Sequence, residues 1–195
     1  MGELVVIISG ILIALAADSW WQGRQDARLE RQYLEAFKLD VEQTAQEIAR
    51  VSREQSETQQ DMMDIAADIA DGEPLPDTIL RVFPSVTILG ESMDTYRDLV
   101  ASGGTTRISS LAVRRSMSRL LRSVEYSHLA EAWALDVVTS LRAVIWAAPR
   151  PVPRDRLADM WATYTDLGDR LVEGHARSAA AADSALAVLT AELNR

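Results

Sequence analysis

The chain has 195 residues, a formal net charge of −9 and no cysteine. That length can bury a real core, in one domain or one domain plus an anchor. The missing cysteines exclude a disulfide framework and thiolate chemistry, and the acidic balance excludes general nucleic-acid binding, which rests on neutralising phosphates. Aromatic residues make up 6% of the chain while Ala, Leu, Arg, Asp and Glu dominate, a composition of long helices and not of sheets.

Leu4–Ala17 is an apolar run that passes without a break signal into charged helix. It spans about 21 Å at about 1.5 Å per residue, short of the roughly 20 residues a bilayer asks for. Extending it from Met1 to Trp21 gives about 31 Å. Trp20 and Trp21 then sit at headgroup level, where an indole buries its ring and wets its N–H, and Arg24 and Arg28 lie just beyond, able to snorkel. Residues 1–21 are therefore expected to form a transmembrane anchor, with Leu4, Gly10, Ala14, Trp20 and Trp21 as its marker residues. Gly10 and Ala14 also make a small-x-x-x-small step of the kind that lets two membrane helices approach. Two other readings compete. Ala14-Leu15-Ala16 fits a signal-peptidase site, although no basic stretch precedes the apolar core; a buried core helix is the third.

Gly2-Glu3-Leu4-Val5-Val6, then Gly10-Ile11-Leu12-Ile13-Ala14-Leu15, then Trp20 and Arg24 resemble a bacterial family of small single-pass membrane proteins of uncharacterised function. The stretch from Thr95 to Gly103 is similar to that family's later Tyr-x-x-Leu-x-x-Ser-Gly segment, with Arg114 and Leu120 to Tyr126 following as expected. The exit here reads Asp18-Ser19-Trp20-Trp21-Gln22, where the family carries an Asn-rich form. The resemblance implies an inner-membrane protein, a basic leader before Gly2, and a bundle on the periplasmic side. On this sequence alone Arg24, Arg28, Arg31 and Lys38 follow the apolar run, and the positive-inside rule favours a cytoplasmic bundle. The periplasmic side is the expectation adopted.

A long helix is expected over about 22–70. Leu34, Phe37, Val41, Thr44, Ile48, Val51, Gln55, Thr58, Met62, Ile65 and Ile69 alternate steps of 3 and 4, a seam that keeps one face against partner helices. Joined to the anchor, it makes one helix from about Leu4 to Ala70. The Gly72 to Pro76 stretch ends it. Short helices are expected within 77–102, one over Thr78–Val82 and one from Ser85 to Ser102; Gly103-Gly104 is a turn and not a phosphate loop. Ser109 or Ser110 caps a third long element over about 110–148, with Val113, Met117, Leu120, Val124, Leu135, Val138, Leu141 and Ile145 as its stripe. Pro149 to Pro153 is a stiff connector. The last helix, about 154–193, carries Leu157, Met160, Tyr164, Leu167, Leu171, Gly174, Ser178, Ala181, Ala185 and Val188. The fold expected is all-α: a transmembrane helix continuing into an antiparallel long-helix bundle over 22–195.

Glu125-Tyr126-Ser127-His128 is a Glu-x-x-His, but a di-iron bundle needs two such units and two further glutamates. His128 reads as a hydrogen-bonded core or interface histidine, and no catalytic, cofactor or metal site is expected. Arg107, Arg114, Arg115, Arg119 and Arg122 are cations with no acid between Ser102 and Val124. Arg114, Arg115, Arg119 and Arg122 are candidate contacts for an acidic partner or anionic lipid; pairing with acids of the first helix is the plainer alternative. The function expected is a membrane-anchored helical scaffold or accessory subunit without catalytic activity. Its partners would be the lipid bilayer and either other proteins or further copies of itself, with no nucleic acid and no cofactor. The alternative is a membrane-tethered sensor, which a ligand pocket at the Gln55 and Thr58 seam defect would favour.

Overall fold

The computed structural model describes residues 2–71, 86–90, 93–147 and 154–195, with the side chains of 2–6, 8–9, 69–71, 144–146 and 154 left out of the description. α1 is a single helix over Gly2–Asp71, 70 residues long, which makes a rod of about 105 Å. No proline occurs along it and its interior glycines are isolated, so nothing in the sequence breaks the ladder. Leu34, Phe37, Val41, Thr44, Ile48, Val51, Gln55 and Met62 are buried, and Thr58 and Ile65 are half-buried, so the heptad seam faces the bundle. Toward the N-terminus the character changes. Ile7, Ile11, Leu12, Ile13, Leu15, Trp20 and Trp21 are all exposed, and the rod leaves the bundle behind. Among the described residues no helix is long and apolar enough to cross a membrane.

After α1 the chain is next described at 86–90, then in a short helix α2 over Asp94–Ala101, a 3-10 turn over Gly104–Arg107, the long α3 over Leu111–Ala147, and α4 over Arg154–Leu193. The pairing of side chains sets the directions. Ser110 Oγ donates to Glu192 of α4, Ser127 meets Ser178, and Glu131 meets His175, so α3 and α4 are antiparallel. Gln59 near the far end of α1 donates to Thr165 O and Asp169 Oδ1 in the first half of α4, while Phe37 and Leu189 share one core cluster and Met62 and Leu157 the other, so α1 and α4 are antiparallel as well. α1 and α3 are therefore parallel to each other, and α4 is the helix that packs against both. The expected alternation of three antiparallel helices holds for α4 only. Two parallel helices in sequence need a long return, and residues 86–90 and 93–110 supply its described part.

That return is less helical than its sequence suggests. The helix expected from Ser85 to Ser102 is confined to Asp94–Ala101, because residues 86–90 have no regular structure and Met93, just before α2, has a left-handed backbone (φ 66°). The helix expected over Thr78–Val82 and the stripe residue Ile145 lie outside the described residues or side chains, as do Ile69 and the Pro149–Pro153 connector. In α3, Leu135 is exposed, contrary to expectation; the buried face runs Val113, Met117, Leu120, Val124, Ser127, Glu131, Ala134 and Val138. In α4 the seam drifts. Ala181 and Val188 are half-buried while Ala182 and Leu189 are fully buried, the slow rotation of a 3.6-residue helix against a seven-residue repeat.

The core forms two apolar clusters. One gathers Phe37, Ile48, Tyr96, Ile108, Met117, Leu120 and Leu189. The other gathers Met62, Trp161, Tyr164, Leu167 and Leu171 around Ala134 and Val138. At Gly168 the second cluster admits α1 closely. A Cβ there would lie 1.6 Å from Gln59 Oε1, so the absent side chain lets Gln59 reach Thr165 O and Asp169 at 2.9 and 3.0 Å. Gly168→Ala is therefore expected to destabilise the fold by about 1–2 kcal/mol net, the lost hydrogen bonds exceeding the helix propensity gained. In a Gln59→Ala background the same change should be neutral or stabilising. A double-mutant cycle of thermal melts checks both, and equal effects in the two backgrounds would refute the account.

Candidate functional site

α3 begins at Leu111 with Ser110 before it, whose hydroxyl accepts a long hydrogen bond from Val113 N–H (3.5 Å). One turn later come Arg114 and Arg115, then Arg119 and Arg122. These four arginines line an open cleft of about 440 Å³ between α3 and the end of the return segment. Thr105 and Ser118 contribute hydroxyls to its wall. Its floor is Tyr96 of α2, whose ring stands edge-on to Phe37 of α1 (centroids 5.4 Å apart, planes at 84°). The Tyr96 hydroxyl shares a 2.7 Å hydrogen bond with Ser118 Oγ and donates weakly to Arg114 O (3.4 Å). The floor is thus wedged between the core of α1 and the backbone of α3, and the arginines stand on a rigid element.

Elsewhere several cations pair along their own helices, Arg31 with Glu35, Lys38 with Glu42, Arg50 with Glu47 and Glu54, Arg170 with Asp166, and Arg177 with Glu173, while among the described residues Arg28, Arg53, Arg97 and Arg156 join no ion pair but stand singly. Arg50 holds the Glu47 carboxyl below its ordinary range, chiefly through that hydrogen bond. The cleft is different. Among the described residues Arg107, Arg114, Arg115, Arg119 and Arg122 join no ion pair, and Arg114 Nε is buried without a hydrogen-bond partner. The expected alternative of pairing with acids of α1 does not occur. Four permanent cations on one wall make a concave positive surface in an acidic chain, fit for carboxylate or phosphate oxygens. Its walls offer donors and fixed charge.

The other sequence-marked residues are not brought to this cleft. His128 is half-buried, its Nε2 without a partner, and Glu125 is exposed. Leu4 lies outside the described side chains, whereas Gly10, Ala14, Trp20 and Trp21 are exposed on the free part of α1, and Arg24 stacks its guanidinium 4.8 Å from the Trp20 ring. Sequence reasoning missed a buried pair. Glu131 Oε1 and His175 Nε2 are 2.9 Å apart, each side chain 1% exposed, and Glu131 Oε2 accepts the Leu89 N–H at 3.1 Å. Ser178 hydrogen-bonds Ser123 and Ser127 beside them. This polar layer separates the two apolar clusters; among the described residues no three metal-ligating side chains converge. The available signal was phase: Ser127 and Glu131 continue the 3–4 spacing from Val124.

At the Gln55 and Thr58 seam defect the free volume is about 20 Å³, room for a single water and not for a metabolite. No family model matches the chain, and no curated protein or solved structure matches it either.

Tyr164 lines this small space, and its hydroxyl is buried without a partner. Burial pushes its pKa from 10.0 to about 12, with the Arg142 charge opposing. A phenol whose pKa is raised on folding contributes stability below pH 10, and that stability is lost as pH rises from about 10 to about 12. Tyr164→Phe should therefore be nearly neutral at pH 7, since no hydrogen bond is broken. Melts at pH 8 and pH 11 should show a smaller alkaline loss in the variant than in the parent; equal losses would refute the assignment.

Proposed function

We propose that the chain is a membrane-anchored helical scaffold or accessory subunit of a membrane complex, with the bundle held off the bilayer by α1. The observation that carries this is the change of character along one unbroken helix. From Leu34 onward α1 buries a single seam. Before it, Ile7, Ile11, Leu12, Ile13 and Leu15 are bare on several sides of the same rod, ending at Trp20 and Trp21. A one-sided stripe would suit a groove on a neighbouring protein; an all-round apolar helix suits hydrocarbon. The apolar stretch among the described residues is too short to span alone, and the side chains of Leu4, Val5, Val6 and Ile8 lie outside the description.

The resemblance of Gly2–Leu15 to small single-pass bacterial membrane proteins agrees with this reading, and with it the bundle belongs on the periplasmic side of the inner membrane. The arginine cleft supports a role in holding a partner. Its donors can fix an anionic group, and its place on a stiff bundle sets where that group sits. The one-water volume at Gln55 and Thr58 gives the sensor alternative no support.

Full-length protein is expected in the membrane fraction and released only by detergent, while deletion of Met1–Trp21 should give a soluble protein of unchanged helicity per residue. Recovery of the full chain in the soluble lysate without detergent would overturn the anchor. A reporter fused at the C-terminus should be active only in its periplasmic form.

A further inference from the structure

The arginines of the cleft continue into a second feature on the same helix. Arg115, Arg119, Arg122, Tyr126, Leu129 and Trp133 follow one another at steps of 4, 3, 4, 3 and 4. At about 100° per residue they fall within an arc of about 80°, opposite the buried stripe of Val113, Met117, Leu120 and Val124. All six are exposed, with Tyr126, Leu129 and Trp133 at 59, 69 and 53%. Trp and Tyr bare on a rigid helix are the residue types that dominate protein interfaces, and heptad spacing is what a partner helix reads. α3 thus carries two seams: one inside the bundle, one facing out, cationic in its first half and apolar in its second.

We propose that this outward seam of α3 docks one helix of a different membrane-complex protein, acidic along the half that meets the arginines and apolar along the half that meets Tyr126, Leu129 and Trp133. The proposal rests on the anchored-scaffold reading, which eliminates two other occupants. A lipid surface is too far. Ser109 N–H donates to Glu30, which places the start of α3 level with Glu30. That is about 14 Å along α1 from Trp21, and Arg115 to Arg122 lie about 23–33 Å from it, roughly two to four times the Debye length of about 8–10 Å. A second copy in the same membrane fits no better. Two parallel α3 helices would set arginine against arginine at three successive rungs, a like-charge juxtaposition that opposes pairing. Antiparallel α3 helices would put Arg115 against Asp136 and Arg119 against Trp133, but they would send the two anchors to opposite ends. A helix with carboxylates three and four residues apart meets the arginine half with paired hydrogen bonds and the apolar half with packing. The charge fixes which way round it lies.

The test uses the full chain in a neutral detergent and a labelled synthetic 21-residue helical peptide with Glu at the first three seam positions and Leu at the last three. Fluorescence anisotropy should show saturable binding that weakens with added salt. The Arg119→Glu/Arg122→Glu and Leu129→Ser/Trp133→Ala variants should each lose at least tenfold in affinity with an unchanged melting temperature, and the first should gain affinity for the matching Lys peptide. Equal binding of the Glu and Lys peptides, or no loss in either double variant, overturns the proposal. So does capture by phosphatidylglycerol micelles that the arginine variant abolishes, or concentration-dependent dimerisation that the same substitutions abolish. The failure of the anchor is read separately by fractionation. A chain that is soluble yet binds the peptide overturns the anchor alone, and an anchored chain that ignores it overturns the seam alone.

Discussion

The return of the chain between two parallel helices is the constraint on which the rest of the architecture depends. Residues 86–90 and 93–110 run back beside α1; α2 and the 3-10 turn make backbone hydrogen bonds of their own, and carboxylates of the long helices take further amides. Leu89 N–H donates to Glu131, Gly90 N–H to Glu47, Thr95 N–H to Asp40 and Ser109 N–H to Glu30. The Leu89 amide is buried and the Thr95 amide partly so, donors that would be costly to leave unpaired, and each of the four acceptors is an acid, which strengthens a bond when it is ionised. Three of the four sites follow α1 backward, from Glu47 through Asp40 to Glu30, and Glu131 holds the far end on α3. Pinned there, α2 presents Tyr96 to Phe37 on one side and to Ser118 on the other, which makes the floor of the cleft.

The same constraint explains why the arginines stay unpaired. α1 is rich in acids, and pairing with them is the plain expectation from sequence. The return segment lies between, and Glu30, Asp40 and Glu47 already hold its backbone amides. Within α3 no acid occurs before Glu125, so the acids three or four residues away that satisfy Arg31, Arg50 and Arg170 are missing for Arg114, Arg115 and Arg119. The cluster was legible as composition. Its isolation was not, because that is a property of what intervenes in space.

The α1 seam was readable because its apolar positions repeat without a slip and its face is used along its whole bundled length. α3 was read less well for a physical reason. Its stripe passes through Ser127 and Glu131, and a pattern judged by hydropathy jumps over polar residues to the next apolar one, which put Leu135 on the wrong face. Glu131 belongs inside only because His175 arrives from another helix, and no local signal announces a partner 44 residues away. The return path was misjudged where Met93 takes a left-handed backbone, a conformation that sequence rarely advertises for a residue other than glycine or asparagine.

The buried polar layer gives the bundle something the apolar clusters cannot. Two leucine-rich faces can slide by a heptad and still bury similar area, whereas a shifted α4 would leave Glu131 and His175 unmatched in the interior, together with the Ser123–Ser178–Ser127 hydroxyls. Unmatched buried groups are more costly than matched ones are favourable, so such a layer acts mainly on register. Register matters here because Glu131 also accepts the Leu89 amide. A slip of α3 against α4 would carry that acceptor away from the return segment and, with it, Ser118 away from Tyr96. The interior pair thus fixes the height at which the outward face of α3 stands along α1. An interior hydrogen bond and an exterior charge pattern are in this way set by one alignment of helices.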